Sequence, residues 1–134
     1  MLYIPKKTKY RKIRKGRIQF YDSKAKLLVI GRTGLIAIES AYVSASQLES
    51  ARQTIRRHLM RIGQVWTTVF PDLGITKRPD QIRIGKGTGR VKYWACKIRP
   101  GIILFEVDGV DSNKAVSALL SGSHKLPLKL KLIK

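Results

Sequence analysis

Arg78-Pro-Asp-Gln-Ile-Arg-Ile-Gly-Lys-Gly-Thr-Gly-Arg-Val-Lys-Tyr-Trp94 is the stretch around which the chain is organised. Gly85, Gly87 and Gly89 alternate with Lys86 and Thr88, and Arg78, Arg83, Arg90 and Lys92 flank them. Glycine lets the backbone take φ > 0 and approach a partner closely. A loop of this composition fills a core poorly and suits contact with phosphates. Gln81-Ile-Arg-Ile84 leads in, and Val91-Lys-Tyr-Trp-Ala-Cys-Lys-Ile98 leads out with apolar and basic residues roughly alternating. That context predicts a strand–loop–strand projection. It argues against a Walker A loop, which needs its Gly-Lys-[Ser/Thr] to open a helix. It equally argues against a dinucleotide fingerprint, which needs a following helix and a downstream acid. A tolerant hairpin tip without function is the plain alternative.

Before the loop, Lys26-Leu-Leu-Val-Ile-Gly31 and Gly34-Leu-Ile-Ala-Ile38 read as two strands with a tight connection. The clearest helix is expected over residues 46–62. Ser46-Gln-Leu-Glu49 fits a capping box. Leu48, Ala51, Ile55, Leu59 and Ile62 form one apolar stripe, and Gly63 is a natural stop. Val65-Trp-Thr-Thr-Val-Phe70 is a strand by β-branched and aromatic content. Pro71-Asp72 turns the chain, and Thr76-Lys-Arg-Pro79 reads as loop.

After the loop, Ile102-Ile-Leu-Phe-Glu-Val107 is a strand closed by Asp108-Gly109. A second helix is expected over about 112–121. Asp111 or Ser112 caps it, Ala115, Val116, Leu119 and Leu120 are buried, and Gly122 ends it. Leu126, Leu128, Leu130 and Leu132 then alternate with Pro127, Lys129 and Lys131 as a last strand. The expected fold is α+β: two helices packed on an antiparallel or mixed sheet system, with an extended basic N-terminal arm and a projecting Gly-rich hairpin loop. With 134 residues and 43% hydrophobic content, one domain over 18–134 follows an arm over 1–17.

Charge names the partner. The chain carries 28 Lys+Arg against 8 Asp+Glu, formally +20. Its own acids cannot neutralise that surface, so a polyanion is the simplest partner. The arm holds Lys6, Lys7, Lys9, Arg11, Lys12, Arg14, Lys15 and Arg17 without an acid, interleaved with Tyr3, Tyr10 and Ile13. It reads as a segment ordered on RNA, with tyrosines suited to stacking on bases. Arg52, Arg56, Arg57 and Arg61 lie off the apolar stripe of the first helix, and guanidinium matches phosphate bidentately. Around the loop, Arg83, Gly85, Lys86, Gly87, Gly89 and Arg90 are the expected contacts.

Enzyme chemistry finds little support. The acids are scattered, and Asp72, Asp108 and Asp111 sit in turn or cap contexts. His58 and His124 are far apart, and no metal-ligand spacing occurs, so neither a metal nor a cofactor is expected. Cys96 alternates with Trp94 and Ile98, which suggests a core-facing strand residue. No apolar run approaches the roughly 20 residues of a membrane span, and the N-terminus lacks the h-region of a secretory signal.

In this order the motifs resemble the bacterial and organellar large-subunit ribosomal protein of the L-sixteen family. Carrying the likeness are Pro5-Lys-Lys-Thr-Lys-Tyr-Arg-Lys12, Lys15-Gly-Arg17, Ala41-Tyr-Val-Ser44 and Gln47-Leu-Glu-Ser-Ala-Arg52. Val69-Phe-Pro-Asp72, Lys77-Arg-Pro79, Arg83-Ile-Gly-Lys-Gly-Thr-Gly89 and Leu104-Phe-Glu-Val-Asp-Gly-Val110 continue it. The resemblance implies an arm threaded through large-subunit rRNA near the A-site tRNA path. It also implies a glycine loop aimed at the peptidyl-transferase region, and a role in helping tRNA settle. Expected partners are rRNA, A-site tRNA and neighbouring large-subunit proteins, with no membrane and no homo-oligomer. Residues 18–36, Glu39-Ser40 and Gln53-Thr54 depart from the family wording. That divergence, with Ile/Lys-rich wording, points to an organellar ribosome, mitochondrial before plastid, with the bacterial cytoplasm as the other compartment. An extra-ribosomal RNA assembly or maturation factor is the competing reading. A cationic nucleic-acid enzyme is the third, and it wants a carboxylate or His cluster.

Overall fold

A computed structural model describes residues 3–18, 27–83, 85 and 87–134. The described elements run β1 (Thr33–Ala37), β2 (Ala41–Ser44), α1 (Ala45–His58), β3 (Gln64–Thr67), β4 (Leu73–Lys77), β5 (Arg90–Ile98), β6 (Ile103–Asp108), α2 (Ser112–Ser123) and β7 (Leu130–Ile133). They build two antiparallel sheets, one ordered β3-β6-β1-β7 and one ordered β2-β5-β4. This is the expected α+β architecture.

The core lies between the four-stranded sheet and the helices. Leu35 and Ala37 of β1, with Leu104, Phe105 and Val107 of β6, meet Leu48, Ala51 and Ile55 of α1 and Ala115, Ala118 and Leu119 of α2. β2 and β5 add Val43, Cys96 and Ile98, so the second sheet shares this core. A smaller cluster of Leu73, Ile75 and Ala95 packs with Tyr42.

Several expectations are corrected. Residues 27–31 form no strand. Their backbone instead meets Glu106, which is 1% exposed. Its carboxylate accepts N–H bonds from Ile30 and Gly31 at 2.7 Å each, and a longer one from Val29 at 3.4 Å. A buried carboxylate must be hydrogen-bonded, and this one takes donors that a strand would have spent on a neighbour. β1 accordingly pairs with β6 and β7. The expected reading over 19–26 lies outside the described residues.

The N-cap of helix α1 lies two residues before the expected one. Ser44 is the N-cap: the Gln47 N–H donates to Ser44 Oγ (3.2 Å), and the Ser44 N–H donates to Gln47 Oε1 (2.9 Å). The overlapping Ser46/Glu49 pair loses because β2 ends at Ser44, leaving Glu49 for Arg52. The helix also ends early. Met60 N–H donates to Arg57 O (3.0 Å) and Arg61 N–H to Arg56 O (3.1 Å), the bond pattern of a Schellman motif. Met60 occupies its left-handed position at φ +52°. Ile62 therefore falls beyond the helix and is exposed, whereas Leu48, Ala51, Ile55 and Leu59 are buried as expected.

Assignments in α2 and in two strands change as well. Gly122 lies inside α2, where a Cβ would stand 2.4 Å from Ile55 Cγ1. It lets the two helices pack closely. Asp111 holds the N-cap position without a side-chain cap bond, and Leu120 is exposed while Ala118 is buried. Leu73–Lys77 is a strand, so the hairpin runs from β4 through 78–89 to β5. β7 keeps only the later part of the leucine alternation, because Leu126 and Leu128 are buried ahead of it.

Candidate nucleic-acid interface

The second half of α1 gathers the expected arginines. Arg52, Gln53, Arg56, Arg57 and Arg61 line an open depression of about 390 Å³. Arg56 and Arg57 are on the exposed last turn. Arg61 joins them because the left-handed pair Met60-Arg61, at φ +52° and +66°, folds the chain back over that turn. No acid pairs with these three guanidiniums among the described residues, whose ion pairs include Arg32–Asp108, Lys129–Glu39 and Arg52–Glu49.

Arg52 differs from its neighbours. Its guanidinium grips Glu49 at 2.7 and 3.0 Å, and both side chains are mostly buried. The Arg52 hydrogen bond is the main cause that lowers the Glu49 carboxyl to about 2, with Gln53 adding a second bond. The same pairing raises the Arg52 pKa. Arg52 is thus a brace that offers one edge of its charge to the depression, and Arg56, Arg57 and Arg61 carry the open positive charge.

The hairpin provides a second basic cleft. Lys77 and Arg90 are register partners at the ends of β4 and β5. With Arg78, Asp80 and Lys92 they line a cleft of about 280 Å³. Arg78 donates to Ile82 O (2.7 Å), which shapes the base of the loop. Gly85, Gly87 and Gly89 take φ of +96°, +84° and +76°; at Gly89 a Cβ would lie 2.5 Å from the Lys77 carbonyl. Gly85 and Gly87 face open space, and Arg83 is exposed beside them. The expected contact Lys86 lies outside the described residues. Lys77 escapes the sequence pattern because Thr76–Pro79 has the composition of a turn; the only signal for it is its cross-strand position opposite Arg90.

From Tyr3 to Ile18 the chain has neither helix nor strand. It lies along the domain through a Tyr3 Oη–Thr67 Oγ1 hydrogen bond (3.1 Å) and a Tyr42 Oη bond donated to Gly16 O (2.7 Å). Lys6, Lys7, Lys9, Arg11, Lys12, Arg14, Lys15 and Arg17 are all exposed. Lys9 Nζ stands 5.7 Å from the Tyr10 ring centroid.

Other chemistry is sparse among the described residues. They hold no group of three His, Cys, Asp or Glu able to share a metal ion. Burial pushes the Cys96 thiol up to about 11, and its Sγ donates to Val43 O (3.4 Å), so it is a protonated core residue. No described helix is long and apolar enough to cross a membrane.

Fold and site together define a basic α+β domain with clustered exposed cations. Comparison with known proteins fixes the family. The model of the ribosomal protein L16p/L10e family matches residues 5–133. The large ribosomal subunit protein uL16 of Maricaulis maris (strain MCS10) is 46% identical over 129 residues, 96% of this chain and 94% of that protein. This chain belongs to the ribosomal protein L16p/L10e family, which is structural and not enzymatic. The bacterial relative lends no support to an organellar origin.

Proposed function

We propose that this chain is a structural constituent of the large ribosomal subunit that binds rRNA through its arm and its arginine depression. The observation that carries the reading is the depression itself: three exposed guanidiniums, from Arg56, Arg57 and Arg61, converge with no acid among the described residues to neutralise them. Charges of one sign held in one place need an anion, and guanidinium geometry fits phosphate oxygens. The eight exposed arm cations add to the same charge. Nothing covalent is asked of the protein. It neutralises phosphates and fixes the shape of the RNA.

The hairpin adds the finer part of the proposal. Left-handed glycines facing open space give a tip that a nucleic-acid backbone approaches closely. We assign this tip to the A-site tRNA path near the peptidyl-transferase region, with Arg83, Lys86 and Arg90 as its charged contacts.

Sedimentation tests the reading. The protein should travel with the large subunit through a high-salt wash. Release by salt into the soluble fraction would favour an extra-ribosomal assembly factor. A hairpin shortened across Gly85–Gly89 should still enter the subunit and impair tRNA-dependent activity. Failure of that variant to enter would make the hairpin an assembly element.

A further inference from the structure

A third cleft differs from the two basic ones. It measures about 450 Å³ and lies between Tyr3 and Ile4 of the arm, Ser46 and Glu49 of α1, and Val91–Trp94 of β5. We propose that this cleft takes an unstacked nucleobase of the bound RNA, an inference that rests on the RNA-binding reading above.

Its walls choose a base over a phosphate. Three aromatic residues, Tyr3, Tyr93 and Trp94, and two aliphatic ones, Ile4 and Val91, are among its lining. Lys92 is the one cation among its described lining residues, and the Glu49 carboxylate at its wall is already held by Arg52. RNA is read where bases leave the stack and lie on aromatic rings, and every base has a face for such stacking. The volume falls in the usual range of ligand pockets.

Topology explains why the cleft exists. β2 pairs with β5 only as far as Ser44 opposite Ala95, and then the chain turns into α1. Residues 91–94 therefore run past the end of β2. Neighbouring residues of a strand stand on opposite faces, so Tyr93 and Trp94 flank this strand edge from both sides. Tyr93 is left 47% exposed and Ile4 45% exposed. α1 joins the cleft to the arginine depression, since Glu49 of the first is ion-paired with Arg52 of the second.

Full-length protein, with octauridylate and an abasic octamer of equal charge as probes, tests this. Both should bind electrostatically, with octauridylate tighter by roughly tenfold, the size of one stacked base. Tyr93→Ala should erase that difference while leaving the abasic affinity unchanged, which also certifies the fold. Tyr93→Phe should keep the difference. Equal binding of the two probes by the parent protein, or a difference that survives Tyr93→Ala, overturns the nucleobase site alone. Failure of both probes to bind overturns the RNA reading and this inference with it.

Discussion

Met60 holds a backbone conformation that glycine occupies at most Schellman helix ends. For a residue with a Cβ the left-handed region costs about 1–2 kcal/mol. Met60 is 81% exposed, so its side chain recovers little of that through packing. Met60→Gly should therefore stabilise the domain by about 1 kcal/mol after the extra entropy of an unfolded glycine is subtracted. Urea unfolding would read this as a higher midpoint at unchanged slope; a lower midpoint would show that Met60 makes a contact worth more than the strain. Glu49 makes a second residue-scale case. Its folded pKa of about 2 lies below the ordinary 4.5 because Arg52 donates to it. A depressed folded pKa gives stability that is present above the unfolded value and lost as pH falls through the folded one. The domain should lose this contribution between about pH 4.5 and 2, and Glu49→Gln should flatten that limb of the pH–stability curve. An unchanged limb would place the acid sensitivity on other carboxylates.

Helix packing turns on one glycine. In an exposed helix Gly122→Ala would gain about 1 kcal/mol of propensity. Here the new methyl meets Ile55 at 2.4 Å from Cγ1 and 2.8 Å from Cδ1, and Ile55 is 0% exposed. Overpacking of a core costs about 1–3 kcal/mol, so the clash should win and Gly122→Ala should destabilise. Combined with Ile55→Ala, it should cost less than the sum of the two singles, because the second change removes the obstacle; strict additivity would mean that the helices simply shift apart. The elements legible in sequence are those whose pattern is local. α2, β3, β5, β6 and the body of α1 announce themselves by period and composition. β4 does not, because Gly74 interrupts Leu73-Gly-Ile-Thr-Lys77 and its strand character comes from pairing with β5, where Gly74 faces Trp94. The apolar run 27–30 reads as strand, and only a carboxylate more than seventy residues away reveals where its N–H groups go. The site divides the same way: Arg56 and Arg57 follow from helical spacing, whereas the return of Arg61 and the capture of Arg52 depend on the cap and on Glu49.

At the scale of the molecule, a formal charge of +20 makes association with RNA an ion-exchange reaction. Each neutralised phosphate releases counterions, and log K falls with log salt by about 0.7 per phosphate on single strands and about 0.9 on duplex. The fold decides which cations count. Replacing Arg56, Arg57 and Arg61 together with Gln removes three exposed charges that have no acidic partner among the described residues, and none of them is in the core. The salt slope should fall by about 2–3, with the unfolding midpoint nearly unchanged. Arg52→Gln should behave in the opposite sense. It breaks a mostly buried ion pair, so it should lower stability and move the slope by less than one. Titrating an rRNA fragment against each variant at several salt concentrations separates the two. A triple variant with the parental slope would show that the depression is not where phosphates bind, and would leave the arm to account for the salt dependence.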